Sequence, residues 1–62
     1  MTDDEARVGM ICLDCFGDKV VIDRIVTHKY AEVGYWWNGS FSYEGDRVRL
    51  DELEFTGEFI KT

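Results

Sequence analysis

The sequence predicts one small all-β domain whose sheet closes into a five-stranded barrel. Three observations lead there. Short runs rich in Val, Ile, Tyr, Phe and Trp recur along the chain, and such residues fit a pleated, half-buried surface. Turn signals built on Gly, Asp and Asn separate these runs roughly every eight to ten residues, the spacing of small barrels and sandwiches. No stretch holds apolar residues at a helical period for more than a single turn, and there is no proline.

Each element follows from its residues. Residues 1–7 carry three acids and one Arg with no apolar periodicity, and read as a solvated, flexible acidic tail ahead of one domain over 8–62. Val8 to Leu13 is the first β run, broken by Asp14-Cys15-Phe16-Gly17-Asp18. Lys19 to Val26 is the second. Its apolar residues Val20, Val21, Ile22, Ile25 and Val26 fall on both parities. Either both faces of this strand are covered or a bulge near Asp23-Arg24 shifts the register; the sharp bend of a small barrel favours the bulge. Tyr30 to Trp37 is the third run, with Ala31, Val33, Tyr35 and Trp37 on the uncharged face expected to meet the core. Asn38-Gly39 then signals a tight hairpin. Ser40 to Tyr43 returns, Glu44-Gly45-Asp46 reads as a second turn, and Arg47 to Leu50 resumes the alternation. Asp51 to Glu54 is the only helical turn, with Asp51 as its cap, and Phe55 to Ile60 is the last strand, with Gly57 at a bulge or turn.

Composition narrows function. A chain of 62 residues makes one thin core and leaves little volume for a ligand-burying pocket. Thirteen acids against seven basic residues give a net charge of −6, which disfavours backbone-directed binding of nucleic acid. No apolar stretch reaches the length of a membrane span, and the acidic start Met1-Thr2-Asp3-Asp4-Glu5 lacks the character of a secretion signal, so a cytoplasmic protein is expected.

The order of elements resembles the SH3-like small barrels, including KOW-type and Tudor-like domains. The residues that carry the resemblance are Ile22 and Ile25 in a V-x-x-I strand, Val33, Tyr35 and Trp36 or Trp37 in an aromatic-ending strand, and Val48 and Leu53 before the last strand. The chain looks most similar to small YodC-like bacterial proteins of unassigned function. The resemblance implies a five-stranded barrel with a 3₁₀ turn before the final strand. The basic loop residues of nucleic-acid-binding KOW domains are absent, so no ribosomal role is implied.

Candidate sites are few. Tyr30, Tyr35, Trp36, Trp37, Phe41 and Tyr43 crowd six aromatic residues into fourteen positions. Tyr35, Trp37 and Phe41 are expected to fill the barrel. Trp36 is the expected anchor of an exposed patch, with Tyr30, Tyr43 and Glu32 around it, because Trp and Tyr dominate binding hot spots. A cage for a methylated cation is an alternative use of the same rings. Glu44, Asp46, Asp51, Glu52, Glu54 and Glu58, interrupted by Arg47, Arg49 and Lys61, form a solvated acidic surface suited to a basic partner. The reading is a non-enzymatic adaptor or inhibitor of bacterial or phage origin, monomeric or weakly dimeric, that binds another protein and needs no cofactor. The alternatives are a barrel that stacks nucleic-acid bases on these rings, or an acidic mimic of nucleic acid that occupies a DNA-binding protein. A metal site would have to draw on Cys12, Cys15 and His28, one ligand short of a structural zinc sphere, and none is expected in the monomer. Ser40, Ser42 and His28 form no catalytic spacing.

Overall fold

A computed structural model describes residues 1–60, so Lys61 of the acidic set lies outside the described residues. Five strands form one antiparallel sheet: β1 (Met10–Leu13), β2 (Lys19–Ile25), β3 (Tyr30–Trp37), β4 (Ser40–Arg49) and β5 (Glu54–Phe59). Their order is β4-β3-β2-β1-β5. A 3₁₀ turn, Leu50–Glu52, joins β4 to β5. The sheet is open: β4 and β5 are its edges, and among the described residues no ladder joins them. β1 is interior and pairs with both β2 and β5.

The double parity of β2 has both of its causes at once. The register against β3 shifts between Ile22 and Arg24, so the strand is bulged at Asp23 and Ile25 returns to the side of Val20 and Ile22. Those residues face the main core, which also holds Ala6, Met10, Cys12, Ala31, Val33, Leu50 and Leu53, with Ile25, Tyr35 and Val48 packed against it. Val21 and Ile11, paired across β1 and β2, are also buried but lie outside that cluster, on the other face. In the same row Gly34 pairs with Val21. A methyl group on Gly34 would run into the Phe41 ring, so Phe41 lies over this glycine on the second face. The sheet therefore buries apolar side chains on both sides near its centre.

The segment 40–50 departs from expectation. Glu44-Gly45-Asp46 is not a turn, and β4 runs unbroken through it. Val33 pairs with Asp46 and Tyr35 with Ser42, so Gly34 alone faces Tyr43, Glu44 and Gly45. Gly45 takes a φ of 70°, which lets the strand hold the extra residues without leaving the ladder. Asn38 (φ 50°) and Gly39 (φ 80°) close the β3–β4 hairpin where the sequence places it.

Two further differences concern the ends. The first seven residues are not a free tail: Ala6 is buried in the core, and the Met1 ammonium donates to the Leu50 and Leu53 carbonyls at 2.9 and 3.2 Å. The 3₁₀ turn starts one residue earlier than expected, and no side chain caps it. Its Leu50, with Leu53 just after it, plugs the core, while the Leu50 amide donates to the Lys29 carbonyl at 2.8 Å. In β5 the register slips opposite Ile11 and Cys12, leaving Thr56 and Gly57 bulged, and the Thr56 hydroxyl donates to the Ile11 carbonyl at 2.7 Å.

Candidate binding groove

The four residues expected to form one patch do not come together. Tyr30 opens β3 opposite Arg49, six residues from Trp36, which at a strand's rise is about 20 Å. Glu32 and Tyr43 do meet. The Tyr43 hydroxyl donates to Glu32 Oε1 at 3.1 Å, and Glu32 Oε2 takes Arg24 at 3.2 Å with Arg47 at 3.8 Å. The Glu32 side chain keeps only 15% of its surface. This carboxylate holds Tyr43 neutral, pushing the phenol above its ordinary range. The β4 bulge explains the grouping, because it carries Tyr43 past Gly34 toward Glu32 and away from Trp36.

Trp36 belongs to a different site at the hairpin end of the sheet. An open groove of about 640 Å³ is lined there by Tyr35, Trp36 and Trp37 of β3, Ser42 and Glu44 of β4, and Gly17-Asp18-Lys19 at the start of β2. Trp36 is half-buried and pairs across the ladder with Phe41. Trp37, expected in the core, is 74% exposed. It is the last residue of β3 before the turn, beyond the reach of the buried rows. Phe41, also expected in the core, is half-buried and covers Gly34 on the second face instead. Of the three rings assigned to the core, only Tyr35 packs on it.

The far wall is built by the β1–β2 turn. Asp14 Oδ1 accepts the amides of Phe16 and Asp18 at 2.9 and 2.8 Å, and the Asp14 amide donates to the Asp18 carbonyl at 3.0 Å. Asp14 thus commits its carboxylate to the turn, whereas Asp18 contributes backbone groups there. On the opposite wall the Tyr35 hydroxyl donates to Asp46 Oδ2 at 3.0 Å, and Ser42 donates to Glu44 Oε1 at 3.1 Å. The Tyr35 phenol is held above its ordinary range, first by that hydrogen bond, then by desolvation and the charges of Asp46, Asp14 and Asp18. Carboxylates therefore crowd the Tyr35 ring, and Lys19 is the one cation among the lining residues.

The cysteines part company. Cys12 is fully buried, and burial pushes its thiol up to about 11, while Cys15 is exposed beside the charges of Asp14 and Glu52. His28 sits in the β2–β3 connection, at the other end of β2 from the turn that holds Cys15. It lines a smaller cleft of about 230 Å³ with Met1, Lys29 and Asp51. Among the described residues no group of three or more His, Cys, Asp or Glu is placed to hold a metal ion. No helix among them is long and apolar enough to cross a membrane.

The sequence signal for the groove was the Tyr-Trp-Trp run itself. Nothing in the sequence tied it to Asp18 and Glu44, which the β1–β2 turn and the β4 bulge bring to it. Comparison of the chain with protein-family models, with curated proteins and with solved structures returned no match.

Proposed function

We propose that the protein is a non-enzymatic protein-binding module, an adaptor or inhibitor, that receives its partner in the groove between the β3–β4 hairpin and the β1–β2 turn. The observation that carries this reading is the concentration of aromatic surface at one open concavity. Tyr35 and Trp37, two apart on β3 and so on one face of it, line the groove together with Trp36 between them, and large rings in a concave setting are the usual anchors of protein interfaces. We read the whole as an SH3-like barrel. The strand order, the 3₁₀ turn before β5 and the register shifts in three of the four ladders, which bend strands, support that architecture. A cytoplasmic monomer or weak homodimer fits the net charge of −6.

The test is capture of partners from lysate on immobilised wild-type protein, Trp36→Ala and Trp37→Ala, each with and without nuclease. The expected result is a partner that survives nuclease and is lost from both variants. Two results overturn the proposal: a partner that vanishes on nuclease treatment alone, which assigns the rings to base stacking, or folded Trp variants that keep every partner.

A further inference from the structure

Resting on the groove as a protein-binding site, we infer that its occupant is an extended segment bearing arginine, whose guanidinium lies against the Tyr35 and Trp37 rings, which share a face of β3, between Asp18 and Glu44. Three features converge on that chemistry. The groove offers the rings of Tyr35 and Trp37, on one face of β3, on which a planar guanidinium stacks. Carboxylates stand on both walls. Asp18 lies on the turn side, with its carboxylate not committed to the turn as that of Asp14 is, and Glu44 lies on the hairpin side with only Oε1 hydrogen-bonded. Asp14 and Asp46 add negative charge around Tyr35, against the single ammonium of Lys19.

Volume and shape favour a chain segment over a small solute. At about 640 Å³ and open to solvent, the groove accepts more than one side chain. A carboxylate-bearing or phosphate-bearing ligand meets like charge on both walls. Lysine satisfies the charge but lacks the planar face and the bidentate fork, so arginine gains more from rings and carboxylates together. Glu32 plays no part, because Tyr43, Arg24 and Arg47 already take its oxygens.

The test uses four probes on the full chain: acetyl-(Gly-Arg)₃-Gly-amide, the same peptide with lysine, the same with citrulline, and a dT₁₀ oligonucleotide. Binding is followed by the two indole N–H resonances of the ¹⁵N-labelled protein. The arginine peptide is expected to shift the Trp37 indole more than the Trp36 indole and to bind about ten times tighter than the citrulline peptide, with lysine in between. Asp18→Asn/Glu44→Gln is expected to erase that advantage. Asp3→Asn/Asp4→Asn, the same change in charge on the N-terminal segment, is expected to leave it intact. Equal binding of arginine and citrulline peptides, lost in Trp37→Ala, overturns the cationic inference and leaves the protein-binding reading standing. Equal weakening by the two charge variants overturns it as a mere effect of net charge. No movement of either indole with any peptide overturns it too, and the lysate capture then judges the groove separately. Tighter binding of dT₁₀ than of the arginine peptide overturns both readings.

Discussion

Two groups of aromatic and acidic residues lie on the β3–β4 hairpin, and they are made from the same kinds of side chain. In one, Tyr43 and Glu32 are joined to each other and to Arg24 and Arg47. In the other, Trp36 and Trp37 stand in an open groove where carboxylates outnumber cations. The first is closed, because its acceptors already have donors inside the molecule. The second has rings and charges still to be satisfied from outside. A count of charges or aromatics does not separate them; what separates them is whether each polar group is already paired.

The hinge between the two groups is Gly34, so the most damaging change falls there. A Cβ at this position lands on the Phe41 ring and 2.5 Å from the Ser42 carbonyl oxygen, and backbone cannot rotate away as a side chain can. Gly34→Ala is expected to lose about 3 kcal/mol in urea denaturation, at the upper end for overpacking, and to disturb both groups at once. A variant within about 0.5 kcal/mol of wild type would mean that β4 does not cross Gly34 in this register.

The next effect tests the groove alone. Trp36→Ala or Trp37→Ala is expected to weaken partner binding by about 2 kcal/mol, roughly 30-fold. The two should differ in stability. Trp37 is mostly exposed, so its removal should change unfolding by less than about 0.5 kcal/mol, whereas Trp36 loses its cross-strand contact with Phe41, worth up to about 1 kcal/mol. Tyr43→Phe should leave binding unchanged. If Tyr43→Phe weakens binding as much as Trp37→Ala, the division into closed and open groups is wrong.

Much of the framework was legible because it is local. The Tyr30–Trp37 strand, the Asn38-Gly39 turn and the irregularity at Asp23-Arg24 each follow from residues within a few positions. What failed depends on partners distant in sequence. Glu44-Gly45-Asp46 has the composition of a turn, but the ladder to β3 holds it in a bulge. Trp37 has the parity of a core residue, yet parity does not say where along a strand the core stops. Trp36, Glu32 and Tyr30 share a face of β3, which made one patch reasonable, but sharing a face leaves them spread along the strand. Ala6 is one small residue among charged ones, and no periodicity marks a segment that docks through one alanine and a terminal ammonium.

A smaller effect probes the closed group. Glu32→Ala removes the acceptor shared by Tyr43, Arg24 and Arg47, and should cost about 1 kcal/mol at low salt, since pairs with exposed arginines are individually weak. The loss should shrink in high salt, while binding of a groove ligand stays the same. A Glu32→Ala variant that binds more weakly at unchanged stability would join the two groups into one site.

The smallest effect is read in the tyrosines by ultraviolet titration. Tyr43 and Tyr35 each donate to a carboxylate, Glu32 and Asp46 respectively, and both are held above the ordinary tyrosine range. A raised folded-state value means that the native state holds the phenolic proton more tightly than the unfolded chain. Each phenol's contribution to stability is therefore complete below the unfolded value near 10, and is lost as pH rises through the higher folded value. Glu32→Gln should lower the Tyr43 titration and leave that of Tyr35 in place; Asp46→Asn should do the reverse. Independent shifts would show that the groups are electrostatically separate although both sit on one hairpin. If either substitution moves both tyrosines equally, charge is shared across the bulge, and the closed group contributes to the field that a cationic ligand meets in the groove.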